Sequence, residues 1–195
     1  AVPGCASQEN SIEKKQRELE EARISQDYTG VEQEVYGFVE SLAEKIPEEF
    51  EIVRYGNANI FYDKGLEVNN GARVAGTGRV VRLDSDGNVS VSYFGDNDKL
   101  IDFNYNKEIE RVIFNKRYYD KSYQDKSPSL VVCDFTVSYE KNDGYWMKRN
   151  YYIRNHEEAR SYGKSGFSSE RQANEAELKE PLELIDKIRG TYSNN

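Results

Sequence analysis

The sequence predicts an α+β domain in which N-terminal helices pack on a twisted, mostly antiparallel sheet and a C-terminal helix follows. Three observations predict this class. Apolar residues recur at helical spacing before residue 47 and again after residue 168. Between residues 50 and 155 the period changes to two. The strand candidates there are joined by short turn segments without helical patterns, which excludes a doubly wound parallel sheet.

Two helices are expected before the first strand. Ser11–Ser25 is rich in strong helix formers, but its thin apolar stripe is typical of a spacer or of a helix that docks on a partner. Gln26–Gly30 is expected to interrupt the helix. The second helix, Val31–Ile46, has a wide apolar face and ends before Pro47. That face, formed by Val31, Val35, Phe38, Val39, Leu42 and Ile46, predicts packing across the sheet.

Eight strand candidates follow, separated by turns that contain Gly, Asn or Asp. They are Phe50–Tyr55, Asn59–Asp63, Arg73–Leu83, Val89–Phe94, Leu100–Tyr105, Glu110–Tyr119, Leu130–Tyr139 and Tyr145–Arg154. Asp84–Asn88 and Glu140–Gly144 are hairpin signals. Asp84–Asn88 also resembles the start of a calcium loop, but Gly95 stands where the closing glutamate belongs, so we interpret it as a turn. Gly76-Thr77-Gly78 indicates a bulge or a close backbone approach.

The C-terminal helix is predicted over Ser169–Arg189. Its apolar stripe consists of Leu178, Leu182, Ile185 and Ile188. Pro181 either divides this helix or begins its second half, where proline is tolerated in the first turn. Gly190 is expected to end it.

The negative charge is concentrated at the N-terminus. The chain has a formal net charge of -8, and residues 1–50 alone hold 12 acids and 5 bases. Residues 51–155 hold 15 acids and 16 bases. This asymmetry divides the chain into a tether and charged helical arm, residues 1–28, and a single α+β domain, residues 29–195. An acidic chain without a basic block is a poor ligand for nucleic acid, so none is expected as a partner.

Cys5 follows Val2-Pro3-Gly4 and precedes a polar run. Val2-Pro3-Gly4-Cys5 resembles the lipidation site of a lipoprotein signal, although Pro3 stands where Ala or Ser is usual. The resemblance implies a lipid on Cys5. No apolar run approaches the roughly 18 residues of a membrane span, so the membrane would be reached only through that lipid. Two alternatives stay open, a free thiol and a disulfide with Cys133.

Few residues are suited to catalysis or metal binding. The chain has one histidine and two cysteines. A Ser–His–acid or Cys–His system would have to use His156, which lies in a polar segment after the last strand candidate. We therefore expect no catalytic residue, metal ion or cofactor. An enzyme, a hydrolase of unknown type, is the third of the functions considered.

Tyrosine is the most unusual compositional feature, with 15 copies. Many lie near Lys and Arg in the last strands, and such side chains are enriched in contact surfaces. The expected binding residues are Tyr118, Tyr119, Lys148, Tyr152 and Arg154. If Val131 and Val137 point inward, we expect Lys148, Tyr152 and Arg154 to share the outward face of the neighbouring strand. The competing interpretation is that tyrosines fill the rim of a leucine-poor core.

The preferred function is a non-enzymatic cell-envelope or surface protein. It is tethered at its N-terminus and binds a protein or glycan through a Tyr/Arg-rich sheet face, and its N-terminal helix offers a surface for oligomers. The alternative is a soluble interaction module in the cytoplasm. Gly76–Phe94 favours this alternative, because a strand, a DSDGN turn and a second strand before Gly95 are similar to the hairpin of small SH3-like or Tudor-like barrels.

Overall fold

A computed structural model describes residues 6–95, 99–119, 131–153 and 167–193. These residues form two α-helices and eleven β-strands. The helices are α1, Ala6–Ala43, and α2, Glu175–Tyr192. The strands are β1 Phe50–Tyr55, β2 Ala58–Asp63, β3 Glu67–Asn69, β4 Ala72–Ala75, β5 Gly78–Asp84, β6 Val89–Phe94, β7 Lys99–Asn106, β8 Arg111–Tyr119, β9 Val131–Asn142, β10 Tyr145–Ile153 and β11 Phe167–Gln172.

Nine of the described strands form one sheet in the order β1-β2-β5-β6-β7-β8-β9-β10-β11. All neighbours in it are antiparallel, and β3 and β4 form a separate hairpin. The predicted α+β class, the antiparallel sheet and the C-terminal helix are confirmed. The SH3-like or Tudor-like resemblance extends only to the β5–β6 hairpin, because these two strands belong to the nine-stranded sheet rather than to a small barrel.

The predicted pair of N-terminal helices is one helix of 38 residues. The expected interruption at Gln26–Gly30 is wrong. Tyr28 lies in this segment, is only 3% exposed, and packs edge-on against Phe135 with ring centroids 5.9 Å apart. Burying a large apolar side chain contributes about 1.5–3 kcal/mol, whereas a glycine inside a helix costs about 1 kcal/mol. The packing of Tyr28 therefore outweighs the weak helix propensity around Gly30.

One face of the sheet, called the helix-covered face below, packs against both helices and forms the core. Its central row is in register across six strands, and every member is fully buried: Phe61, Val81, Val91, Phe103, Phe114 and Val137. From α1, Val31, Val35, Val39 and Leu42 are buried in the same cluster. Phe38 and Ile46, expected on the same stripe, are only partly buried against it.

The C-terminal helix begins later than predicted, because Phe167–Gln172 forms β11 and pairs with β10. It also ends later, at Tyr192 rather than before Gly190. Tyr192 is fully buried, and its hydroxyl donates to the carbonyl oxygen of Leu42 at 3.1 Å. This contact with α1 carries the helix past the glycine. Pro181 is accommodated inside the helix and is itself buried.

The N-terminus of α2 has a capping box. The Asn174 side chain accepts a hydrogen bond from the Glu177 N–H, and the Glu177 carboxylate accepts one from the Asn174 N–H, both at 3.0 Å. Arg171 of β11 also donates to the Glu177 carboxylate, at 2.9 Å from Nη1. The bonds from Arg171, followed by the backbone bond, lower the pKa of Glu177 to about 2.

Replacing Glu177 by Gln should therefore have a pH-dependent effect on stability. Because the folded pKa lies below the unfolded value of about 4.3, the carboxylate stabilises the fold above that value, and this contribution is lost as pH falls toward 2. We expect a loss of about 1 kcal/mol at pH 7, since the cap and the ion pair are solvent-accessible. Urea unfolding of Glu177→Gln and wild type from pH 7 to pH 2.5 should converge. The exposed Glu175→Gln change is the control, and a pH-independent difference would contradict this account.

The β3–β4 hairpin folds over the other face of the sheet near β2. Gly71 faces Ile60, which is only 1% exposed, and a Cβ on Gly71 would lie 3.0 Å from its Cδ1. The expected close backbone approach at Gly76-Thr77-Gly78 is confirmed. Gly76 has a φ of 94°, and a Cβ there would lie 2.4 Å from the carbonyl oxygen of Gly65. Glycine is required here by both conformation and space.

Candidate functional site

The register between β9 and β10 determines which residues of β10 face the helices. Tyr152 pairs with Phe135, and Lys148 pairs with Tyr139. Directly opposed residues of an antiparallel pair lie on the same face. Lys148 and Tyr152 therefore lie on the helix-covered face, and their predicted outward orientation is wrong.

The cause is the length of the turn between these strands. Glu140–Gly144 was expected to form the whole connection, but β9 extends to Asn142 and β10 begins at Tyr145. Only Asp143 and Gly144 remain between the strands, and both have positive φ, 51° and 84°, as a two-residue type I′ hairpin requires. This short turn places Lys148 and Tyr152 opposite inward-facing residues of β9.

Lys148 and Tyr152 have structural partners. Lys148 Nζ donates to Glu32 Oε2 of α1 at 2.9 Å, and the Tyr139 hydroxyl donates to the other oxygen of the same carboxylate. The Tyr152 ring lies against Phe135, with centroids 4.6 Å apart. These contacts join α1 to β9 and β10. For these two residues the contacts favour the competing interpretation, a role at the rim of the core.

For two of the other predicted residues the structure describes only the backbone. The backbone of Tyr118 and Tyr119 lies at the end of β8, paired with Cys133 and Val131 across a register shift. Arg154, Cys5 and His156 lie outside the described residues.

The second face of the sheet, called the polar face below, carries mostly hydrophilic side chains. Its central row, in register from β5 to β10, is Arg82, Ser90, Asn104, Ile113, Ser138 and Arg149. Both described helices pack on the opposite face, and the β3–β4 hairpin lies over the β2 end of this one. The alternation of polar and apolar residues along β5–β10 therefore separates a core face from a second, polar surface.

Two carboxylates on the polar face are bound by their neighbours. Asp102 accepts hydrogen bonds from Ser92 Oγ at 2.7 Å and Asn104 Nδ2 at 2.6 Å, and its burial raises its pKa. Asp134, only 5% exposed, accepts from Asn115 Nδ2 at 2.6 Å and Arg117 Nε at 2.8 Å. All of these bonds except that from Asn104, which lies on β7 with Asp102, join adjacent strands. The two carboxylates therefore organise the surface.

Two exposed tyrosines, an arginine and a partly buried methionine occupy alternate positions of β10 on the polar face. The group called the β10 patch below consists of Tyr145, Met147, Arg149 and Tyr151. Tyr145 is 62% exposed and Tyr151 is 43% exposed. Arg149 Nε donates to Glu170 Oε2 of β11 at 2.6 Å. The alternation along β10 groups these four residues in the sequence, and the short Asp143-Gly144 turn is the signal that would have placed them outward.

A cavity of about 420 Å³, called the β5–β8 cavity below, lies on the polar face at the ends of four strands. Its polar lining includes Arg82, Asp84, Asn88, Ser90, Asn104 and Arg111. These residues are far apart in sequence, and the sequence pattern indicated only the Asp84–Asn88 turn among them. The pairing of the strands in the sheet brings the other residues close to that turn.

A second cavity, of about 330 Å³, lies between α1 and α2. Two of its carboxylates already have partners, Glu32 with Lys148 and Glu177 with Arg171. Among the residues that the structure describes, no group of three or more His, Cys, Asp or Glu side chains is arranged to hold a metal ion. Within the same ranges, neither helix combines the length and the apolar character needed to cross a membrane.

No protein-family model, no curated protein and no solved structure matches this chain. The described residues define its class by geometry: nine of their strands form an antiparallel meander with helices on one face and, on the other, a polar surface with a Tyr/Arg patch and a cavity.

Proposed function

We propose that this protein is a binding protein that recognises a protein partner through the β10 patch. The observation that carries the proposal is the pair of exposed tyrosines, Tyr145 and Tyr151, on either side of Arg149 on the polar face. Tyrosine, methionine and arginine are enriched at protein interfaces, and they supply most of the residues whose truncation weakens binding strongly.

The shape of the patch favours a protein over a glycan. Its members occupy alternate positions of one strand, so Tyr145 and Tyr151 are six residues, or about 20 Å, apart. A surface of this length, with flexible side chains and an ion pair between Arg149 and Glu170, suits an extended protein contact. A glycan partner is an outcome that the experiment below separates.

The proposal includes a tether at the N-terminus. Tyr28 is the first buried residue among the side chains that the structure describes, and those described before it are exposed: Lys15, Glu18, Leu19, Ala22, Gln26 and Asp27. Residues 6–27 of α1 are about 33 Å long at 1.5 Å per residue. A lipid on Cys5 would then hold the domain away from a membrane surface, in the cell envelope, with this arm as the spacer. The intracellular module and the hydrolase have no such supporting feature among the described residues.

A Tyr145→Ala, Tyr151→Ala double variant should lose partner binding by about 30-fold or more, the equivalent of about 1 kcal/mol for each of two interface side chains. Its stability should change by only about 0.5 kcal/mol per site, because both side chains face solvent. The measurement begins with cross-linking and mass spectrometry in cells that express the chain. Purified partner is then titrated with wild type, with the double variant and with Tyr55→Ala, a control tyrosine that is 48% exposed on β1.

Membrane and soluble fractions of the same cells test the tether. A Cys5→Ser chain should move from the membrane fraction to the soluble fraction. Equal affinity of the double variant and wild type would contradict the patch. A captured partner that survives protease treatment and is removed by glycosidases would overturn the choice of a protein. Unchanged membrane association of Cys5→Ser would overturn the tether and leave the patch standing.

A further inference from the structure

The β5–β8 cavity is bordered by two arginines from strands that are not neighbours. Arg82 lies on β5 and Arg111 on β8, so their backbones are about three strand spacings, or about 14 Å, apart. Between them on the polar face lie Ser90 of β6 and Asn104 of β7, with Ile113 beside them on β8. Two cationic side chains thus stand on opposite sides of a concave, hydrogen-bonding surface.

The hydrogen-bond donors of this cavity are only partly used. Arg111 Nε is buried and has no partner among the described residues, and its nearest carboxylate, that of Glu140, is 3.8 Å from Nη1. Arg82 donates through Nε to Asp84 Oδ1 at 3.0 Å. Apart from this bond, neither arginine donates a hydrogen bond to a described residue, so both guanidinium groups keep donors for an acceptor in the cavity.

The asparagines of the cavity present donors as well. Asn88 Oδ1 accepts from the Lys107 N–H at 2.9 Å, and Asn106 Oδ1 accepts from the Ile109 N–H at 3.2 Å. These bonds use the amide oxygens and fix the orientation of both side chains. Neither amide nitrogen donates to another described residue. The cavity therefore offers guanidinium and amide donors to an acceptor-rich ligand.

We propose that the β5–β8 cavity is a binding site for a small hydroxylated carboxylate of the uronic acid class. The carboxylate would lie against Arg111, because charge-assisted bonds from guanidinium to carboxylate are strong and directional. Ser90, Asn88 and Asn106 suit hydroxyl groups. A volume of about 420 Å³ is within the range of small-ligand sites.

The charges of the site favour a carboxylate over a phosphate or sulfate. Asp84 lies in the same lining and is paired with Arg82 at 3.0 Å, whereas Arg111 has only the longer contact of 3.8 Å with Glu140, so Arg111 is the less neutralised of the two cationic groups. The chain also has a net charge of -8, which disfavours ligands of higher negative charge. Asp84 is at the same time an acceptor for a sugar hydroxyl. A single negative charge with several hydroxyls therefore matches the site best.

Titration with sodium glucuronate, followed by backbone amide NMR, tests this site. Shifts should concentrate at Ser90, Asn104 and Arg111, with affinity in the millimolar range or better. Glucose, which has the same ring without the charge, should bind at least tenfold more weakly, as should inorganic phosphate. An oligosaccharide that contains glucuronate forms a further arm, and tighter binding of it than of the free acid identifies a polymer as the source.

Arg111→Gln should weaken glucuronate binding at least tenfold, whereas Arg54→Gln, outside the cavity on β1, should leave it unchanged. If Arg111→Gln melts at a lower temperature, Arg82→Gln provides the second test. The Tyr145→Ala, Tyr151→Ala chain should bind glucuronate like wild type, which keeps this site distinguishable from the β10 patch. Equal binding of glucose, tighter binding of phosphate, or no shifts at millimolar glucuronate would each overturn the proposal.

Discussion

The Phe114→Ala chain is expected to lose about 3–5 kcal/mol of its free energy of unfolding. Phe114 is fully buried at the centre of the helix-covered face. Its ring packs against Phe103 and Tyr139, with centroids 5.2 and 6.3 Å away. Truncation leaves a void that Phe103 of β7 and Tyr139 of β9 cannot fill unless the packed strands move. Since domains are stable by only about 5–15 kcal/mol, much of the margin would be lost.

Ile113→Ala is the matched control, because Ile113 precedes Phe114 on β8 and lies on the polar face, where it is partly exposed. Its replacement should cost only about 1 kcal/mol, since less apolar surface leaves water there. Urea unfolding, followed by circular dichroism, gives the free energy of unfolding of both variants. The two values are compared where the free energy depends equally on urea concentration in both. Similar losses in both variants would show that the assignment of the two faces is wrong.

The Glu32→Ala chain is expected to lose about 2–3 kcal/mol. It removes the partner of Lys148, whose side chain is 15% exposed, and the acceptor of the buried Tyr139 hydroxyl. Breaking a buried pair by removing one member costs more than the pair contributes, because the remaining charge is left desolvated, and the partial exposure here reduces that cost. Glu40→Ala, an exposed position on the same helix, should change stability by less than about 0.5 kcal/mol.

A double-mutant cycle with Lys148→Met identifies the cause of that loss. Once Lys148 is uncharged, Glu32→Ala should cost clearly less than in wild type, because no unpaired charge remains on the helix-covered face. Either of two results would instead assign Lys148 to a contact surface. One is that the two losses are additive, and the other is that the Lys148→Met chain keeps full stability and loses partner binding.

Local patterns in the sequence predicted the sheet well. The changes from turn residues to alternating runs located eight strands of the large sheet, and Gly76-Thr77-Gly78 indicated the close approach beside Gly65. The single strand predicted over Arg73–Leu83 is wrong, because these glycines divide it into β4 and β5, which belong to different sheets. The stripe that begins at Val31 identified four of the α1 residues that enter the core, Val31, Val35, Val39 and Leu42. These features depend on side-chain periodicity and on backbone conformations that few residues tolerate, and both are properties of short segments.

Three features depended on contacts between distant segments. Tyr28 packs on Phe135, more than 100 residues later, and this contact keeps α1 continuous where local propensity predicted a break. The mostly polar segment Phe167–Gln172 forms β11 because it pairs with the edge of β10. Tyr192 extends α2 past Gly190 through its bond to Leu42. Propensities of a few tenths to about 1 kcal/mol are readily outweighed by such packing.

The sequence by itself determined that the chain alternates between core and polar residues along each strand, and it grouped Tyr145, Met147, Arg149 and Tyr151 on one side of β10. Only the tertiary structure decided whether that side belongs to the helix-covered face or to the polar face. A change of one residue in the β9–β10 register reverses every side chain, and the two-residue turn at Asp143-Gly144 set this register. The β5–β8 cavity was likewise decided by strand order, because it unites Arg82 and Arg111 across two intervening strands.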